Sequence, residues 1–171
     1  MNKKPNITRM VHIALLIALE ITLSRFLGIT TPIVKISFAF LPIAAVAILY
    51  GPFYSALAGA LGDFVGALLF PVGAYFPGFT LTAGLVGLVY GIFLYKKNNS
   101  YKYILTAAVI VSVFLHLGLD TYWINVLTGK GFLAILPARI LKCVIMIPVQ
   151  TLAIKYGREK LLHNILKVSA V

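Results

Sequence analysis

Acidic residues are almost absent from this chain. Four Asp and Glu stand against fifteen Lys and Arg, giving a formal net charge of +11, and charged residues of either sign fill only 11% of the 171 positions. A soluble domain carries about 25% charged residues, so a surface that faces water on all sides is excluded. Cysteine is equally scarce. The single Cys143 rules out a disulfide framework and any multi-cysteine metal site. The three histidines, His12, His116 and His163, are scattered and give no metal cluster. A lone His116 inside an apolar run reads as a hydrogen-bonded packing residue. The chain has no GxxxxGK[ST] phosphate loop, so it does not hydrolyse ATP by that route, and it has neither HExxH nor GxSxG. No catalytic residue and no metal ligand is assigned. The first apolar stretch is too long, and lacks the small-residue cleavage site, for a removable signal peptide.

What the chain has is long apolar runs, with 61% hydrophobic residues and a mean hydropathy of +1.00. The basic residues sit in short clusters between those runs, which is a topology signal rather than a groove for nucleic acid. A helix needs about 20 apolar residues to cross a bilayer. The first run covers Thr8 to Leu27 and is broken by Gly28-Ile-Thr-Thr-Pro32; a shorter second run, Ser37 to Tyr50, ends at Gly51-Pro52. The third spans Phe53 to Phe70 and stops at Pro71, and the fourth opens at Tyr75-Phe-Pro-Gly78 and ends at Tyr95. After the polar loop Lys96 to Lys102, the fifth run extends from Ile104 to Leu127. The loop Thr128 to Gly131 precedes a sixth, Phe132 to Ile154. Beyond Tyr156, basic residues alternate with Leu161, Leu162, Ile165 and Leu166, a spacing that suits an amphipathic helix at the membrane interface. The expectation is a single all-α domain, 1–171: a multi-pass bundle of six transmembrane helices in the cell membrane.

Six crossings place both termini on one side. Ten Lys and Arg (residues 3, 4, 9, 96, 97, 102, 155, 158, 160 and 167) fall on that side, and only Lys35 and Lys130 on the other. The bias puts both ends in the cytoplasm. Ionisable groups inside a bilayer are costly and mark sites or buried pairs. Glu20, Arg25, Asp63, Asp120, Arg139 and Lys142 fall inside the runs, mostly in the extracellular half. That distribution predicts a cup open to the outside and closed toward the cytoplasm. Tyr75, Phe79, Tyr122 and Trp123 lie at the same outer level as Asp120 and Asn125. Asp120 and Trp123 are three apart, as are Arg139 and Lys142, so each pair shares a helix face. A pocket of Trp123, Asp120, Asn125, Arg139, Lys142, Tyr75, Phe79 and Tyr122 could stack a flat heterocycle, hydrogen-bond its edge and hold a negative charge. Small-xxx-small spacings at Ala14–Ala18, Gly62–Gly66 and Gly87–Gly91 permit close helix approach. The glycine pairs read as packing inside the bundle, whereas Ala14 and Ala18 are available to a partner. Arg25 lies within about 20° of the alanine stripe and is expected either to close the bundle against Asp63 or to touch a ligand.

The run Leu41-Pro, Tyr50-Gly-Pro52, Gly62-Asp-Phe-Val-Gly66 through Pro71, and Phe76-Pro-Gly-Phe-Thr80 resembles the substrate-capture (S) subunits of energy-coupling-factor (ECF) transporters. The Phe76 to Thr80 segment is similar in particular to the folate-specific branch. The resemblance covers nearly the whole chain. It implies a vitamin-binding subunit, not an enzyme, that works with a transmembrane coupling subunit and two ATPase subunits. On that resemblance ATP is used by the partners and this chain binds no cofactor. It also implies that Ala14 and Ala18 dock onto the coupling subunit, and that Gly28 to Ile36, with Thr30, Thr31 and Lys35, forms a lid over the site. Folate suits the pocket: a pterin wants stacking and edge hydrogen bonds, and its glutamate carries two carboxylates. Other vitamins such as pantothenate or thiamine, a stand-alone secondary transporter and an intramembrane enzyme are the alternatives. No internal repeat of the kind secondary transporters show is evident.

Overall fold

The computed structural model describes residues 7–30, 35–97, 100–129 and 131–169. Its helices are α1 (Ile7–Arg25), α2 (Phe40–Tyr50), α3 (Pro52–Leu69), α4 (Pro77–Leu94), α5 (Tyr101–Ile110), α6 (Asp120–Thr128) and α7 (Phe132–Ser169). A π-helical segment, Val111–Leu119, joins α5 to α6, so that Tyr101–Thr128 is one rod of 28 residues. The only extended structure among the described residues is a pair of two-residue strands, β1 (Ile29–Thr30) and β2 (Lys35–Ile36). They pair antiparallel, with Ile29 opposite Ile36.

The turns follow from proline and glycine chemistry. Pro52 and Pro77 open α3 and α4 at positions where a missing N–H costs nothing. Gly51 takes φ 90°, which a side chain would resist, to fold α2 tightly onto α3. The fit of α3 against α4 is closer still. A methyl on Gly87 would run into the Ser55 carbonyl, and one on Gly91 into the Cα of Pro52. The Ser55 hydroxyl donates to the Gly87 carbonyl at 2.7 Å across this interface. With lipid on the outside, such backbone contact replaces the hydrophobic drive that packs soluble helices.

One end of the bundle gathers the basic and tyrosine residues. The Arg9 guanidinium lies 5.5 Å from the Tyr54 ring centre and 5.9 Å from that of Tyr50. Gly51 packs on the Tyr95 ring, and the buried Arg158 side chain donates to the Lys97 carbonyl. Above this end lies a solid apolar core of Ala47, Tyr90, Leu94, Ile104, Val111 and Ile154. At the opposite end the helices part around a cavity. Each rod, α2 included, runs from one of these ends toward the other.

Three sequence expectations change. Among the described residues five helices are long and apolar enough to cross a membrane; the second run is not among them, since α2 has only 11 residues. At 1.5 Å per residue it rises about 16 Å, against about 30 Å of hydrocarbon. It begins inside the cavity wall, and most of its side chains are buried by other helices. The fifth run contains the π segment, which periodicity alone does not reveal. Finally, α7 continues unbroken to Ser169 rather than ending at Ile154. Only an isolated glycine, Gly157, separates Ile154 from Leu161, which a helix tolerates, and Pro137 and Pro148 are carried inside the helix, as neighbouring helices allow in membrane proteins.

Candidate ligand-binding site

The cavity has a volume of about 360 Å³, within the range of small-molecule sites. Its mouth is formed by the α3–α4 loop (Pro71 to Tyr75) together with Leu127 and Thr128 at the end of α6. Gln150 lies deepest on α7, 11 residues beyond Arg139 and so about 16 Å further in.

The wall formed by α1 and α3 is ionic. Arg25 Nη2 lies 3.4 Å from Asp63 Oδ1, both side chains being largely buried. Asp63 Oδ2 also accepts from the Thr80 hydroxyl at 2.9 Å, and Thr80 in turn contacts the Tyr75 hydroxyl at 3.3 Å. The Gly62–Gly66 pair explains how charged side chains reach this wall. A methyl on Gly62 would strike the Glu20 carboxylate, and one on Gly66 would lie 3.1 Å from Arg25 Nε. These glycines pack within the bundle, as their spacing indicates, and what they admit is the charged edge of α1.

The facing wall comes from the π segment, α6 and α7. His116 Nδ1 and Asp120 Oδ2 are 2.8 Å apart, and Arg139 Nη2 is 3.6 Å from the same oxygen. Arg139 Nη2 also donates to the His116 carbonyl at 2.6 Å, and Cys143 Sγ to the Ser112 carbonyl at 3.2 Å. Both carbonyls belong to the π segment, and both accept from side chains of α7. A third wall is aromatic and apolar, with Phe40, Phe76, Phe79 and Val86.

Of the residues expected at the site, Asp120, Arg139, Lys142, Tyr75 and Phe79 line the cavity, and so do Arg25 and Asp63. Trp123, Asn125 and Tyr122 do not. Asp120, Ile124 and Leu127 carry α6's cavity face. At 100° per residue Trp123 lies about 60° round from Asp120, Asn125 about 140° and Tyr122 about 160°. Trp123 therefore stands behind the aromatic wall. Its Nε1 donates to the Thr82 hydroxyl at 3.2 Å, its ring is 5.4 Å from that of Phe76, and Gly78 makes room for it. Tyr122 faces outward, half exposed. In the expected lid, Thr31 lies outside the described residues, and Thr30 and Lys35 are placed by their backbone pairing alone. Ala14 and Ala18 sit on the outer face of α1, beside the exposed Met10, Leu15 and Leu19.

Sequence reasoning left Phe40, His116, Met146 and Gln150 out of the site. A signal for the last two was present. Arg139, Lys142, Met146 and Gln150 repeat at intervals of three, four and four, which is one stripe of a helix. Among the described residues no group of three or more His, Cys, Asp or Glu could hold a metal ion.

A bundle of apolar helices around one recessed, mixed-polarity cavity defines a multi-pass membrane protein that takes up a small molecule from one end. The chain matches the family described as "ECF transporter, substrate-specific component" over residues 8–157. It is 40% identical over 163 residues to the folate transporter FolT of Clostridium novyi, covering 95% of this chain and 93% of that protein. With the FolT of Leuconostoc mesenteroides subsp. mesenteroides it shares 34% identity over 146 residues, 82% of this chain and 78% of that one. A solved structure described as FolT bound with folic acid superposes with a TM-score of 0.82 at 37% identity, covering 86% of this chain and 89% of that chain. This chain belongs to the substrate-specific components of ECF transporters. It is a transport component rather than an enzyme.

Proposed function

We propose that this chain captures folate in the cavity between its helices and delivers it through an ECF coupling module. The observation that carries the reading is the cavity's composition. An aromatic wall of Phe40, Phe76 and Phe79 faces a rim of cations, Arg25, Arg139 and Lys142, within one recess. A pterin stacks on such rings, and the two glutamate carboxylates answer the cations. The likeness to a FolT with bound folic acid supports the same ligand.

In this reading all six rods span the bilayer, α2 by way of the segment that leads into it. The basic end carrying Arg9, Lys96, Lys97 and Arg158 lies in the cytoplasm, as the positive-inside bias requires, and the cavity opens outward. The chain binds no cofactor. A transmembrane coupling subunit docks on Ala14 and Ala18, and two ATPase subunits hydrolyse ATP. Folate binding itself therefore needs no nucleotide. The lid is the segment from Gly28 to Ile36, and Thr30, Thr31 and Lys35 close over the bound vitamin.

Calorimetry on the purified chain with folate, thiamine, riboflavin and pantothenate tests the ligand, with folate expected to bind most tightly. Tightest binding of any other vitamin would overturn the folate assignment and leave the family intact. Copurification of ATPase subunits from cells expressing the whole transporter tests the partners.

A further inference from the structure

Gln150 is 2% exposed and lies at the deep end of the cavity, about 16 Å along α7 from Arg139. Its Oε1 accepts two hydroxyl donors, Tyr90 at 3.3 Å and Ser112 at 3.4 Å. Those donors fix which way the amide points. Tyr90 is fully buried and Ser112 is 1% exposed, and neither hydroxyl has another side-chain or backbone partner among the described residues. Turning the amide over would set its N–H groups against Tyr90 and Ser112 and leave both hydroxyl protons without an acceptor. A buried donor without an acceptor costs about 1–3 kcal/mol. The carbonyl side therefore faces the protein, and the amide nitrogen is left to face the cavity with no partner among the described residues. Phe40, Ile43, Val86 and Met146 supply apolar lining to the same cavity. A directed donor set among such side chains selects a flat ring bearing a carbonyl-type acceptor on its edge.

We infer that Gln150 is a specificity-determining residue that donates its side-chain N–H to the 4-oxo group of the pterin, placing the heterocycle at the floor and the glutamate at the rim. This inference rests on the folate reading. Tyr90 and Ser112 act as positioning residues: they hold the amide with its donor toward the ring. A site built to satisfy a particular donor–acceptor pair rejects the analogue that reverses it far more strongly than an apolar pocket rejects a change in size.

The test compares folate with 4-amino-4-deoxyfolate, in which a donor replaces the acceptor at the same ring position. Wild-type protein is expected to bind folate at least tenfold more tightly than the 4-amino analogue. Gln150→Met keeps the volume and removes the donor, and is expected to bring the two affinities within about threefold. Gln150→Glu offers an acceptor instead and is expected to favour the 4-amino analogue. If the glutamate variant does not fold, the methionine variant alone decides. A folate preference that survives Gln150→Met, even with lower thermal stability, would reduce Gln150 to a packing role and overturn the inference. Failure of the wild-type protein to bind folate at all would overturn the folate reading itself, and that is seen before any variant is made.

Discussion

Replacing Arg139 with glutamine is expected to loosen the whole wall formed by the π segment, even without ligand. Arg139 is 3% exposed, with its Nη2 against the His116 carbonyl at 2.6 Å and Asp120 Oδ2 at 3.6 Å. Solvent therefore screens neither interaction appreciably. Loss of a hydrogen bond to a charged group costs about 1.5–3 kcal/mol. In a protein of 150–250 residues each kcal/mol moves the melting temperature by roughly 2–4 °C, so a fall of about 3–12 °C is expected. Arg139→Lys, which keeps the charge but loses the planar fork, should fall between the two. The chain supplies its own reporter, because its one cysteine, Cys143, is buried against the Ser112 carbonyl. A thiol-reactive dye on detergent-solubilised protein registers unfolding at that residue. A melting temperature within 1 °C of wild type for Arg139→Gln would refute the claim that this cation holds the π segment.

Lys142→Gln removes a rim cation and is expected to weaken folate roughly tenfold to a hundredfold while sparing a pterin that lacks glutamate; equal losses for both, by calorimetry, would count against a role in holding the carboxylates. Gly87→Ala places a methyl against the Ser55 carbonyl and should destabilise the bundle by about 1–3 kcal/mol, read as a lower melting temperature. Ala14→Trp or Ala18→Trp puts a bulky ring on the exposed face of α1 and is expected to block uptake with folate binding unchanged; if both fall together on the same variants, these alanines pack inside the bundle instead.

The apolar runs made the rods legible from sequence, since few residue types other than apolar ones survive against lipid. They also fixed where the turns fall, because Gly51-Pro52 and Pro77 carry their own backbone chemistry. Depth was legible too: Asp63, Asp120, Arg139 and Lys142 all reach the cavity. Helix face was harder to read. Trp123, Tyr122 and Asn125 lie within two turns of Asp120 but point elsewhere, because depth groups residues by turn whereas a cavity groups them by angle. The Gln150 amide escapes the sequence reading for a related reason: it is uncharged and lies deeper along α7 than the ionisable groups that mark the site. The π segment has no composition signature, and it is the carbonyl of its His116 that holds Arg139. The Gly62–Gly66 spacing was visible, but only the structure puts the carboxylate of Glu20 and the guanidinium of Arg25 over it.

The most direct test of the central claim is equilibrium binding of radiolabelled folate to the purified chain in detergent, without nucleotide, beside Ala83→Trp, which fills the cavity from α4. The account predicts one folate per wild-type chain and no saturable binding to a folded Ala83→Trp variant. Folate bound equally by both would contradict it, because the ligand would then lie outside this cavity.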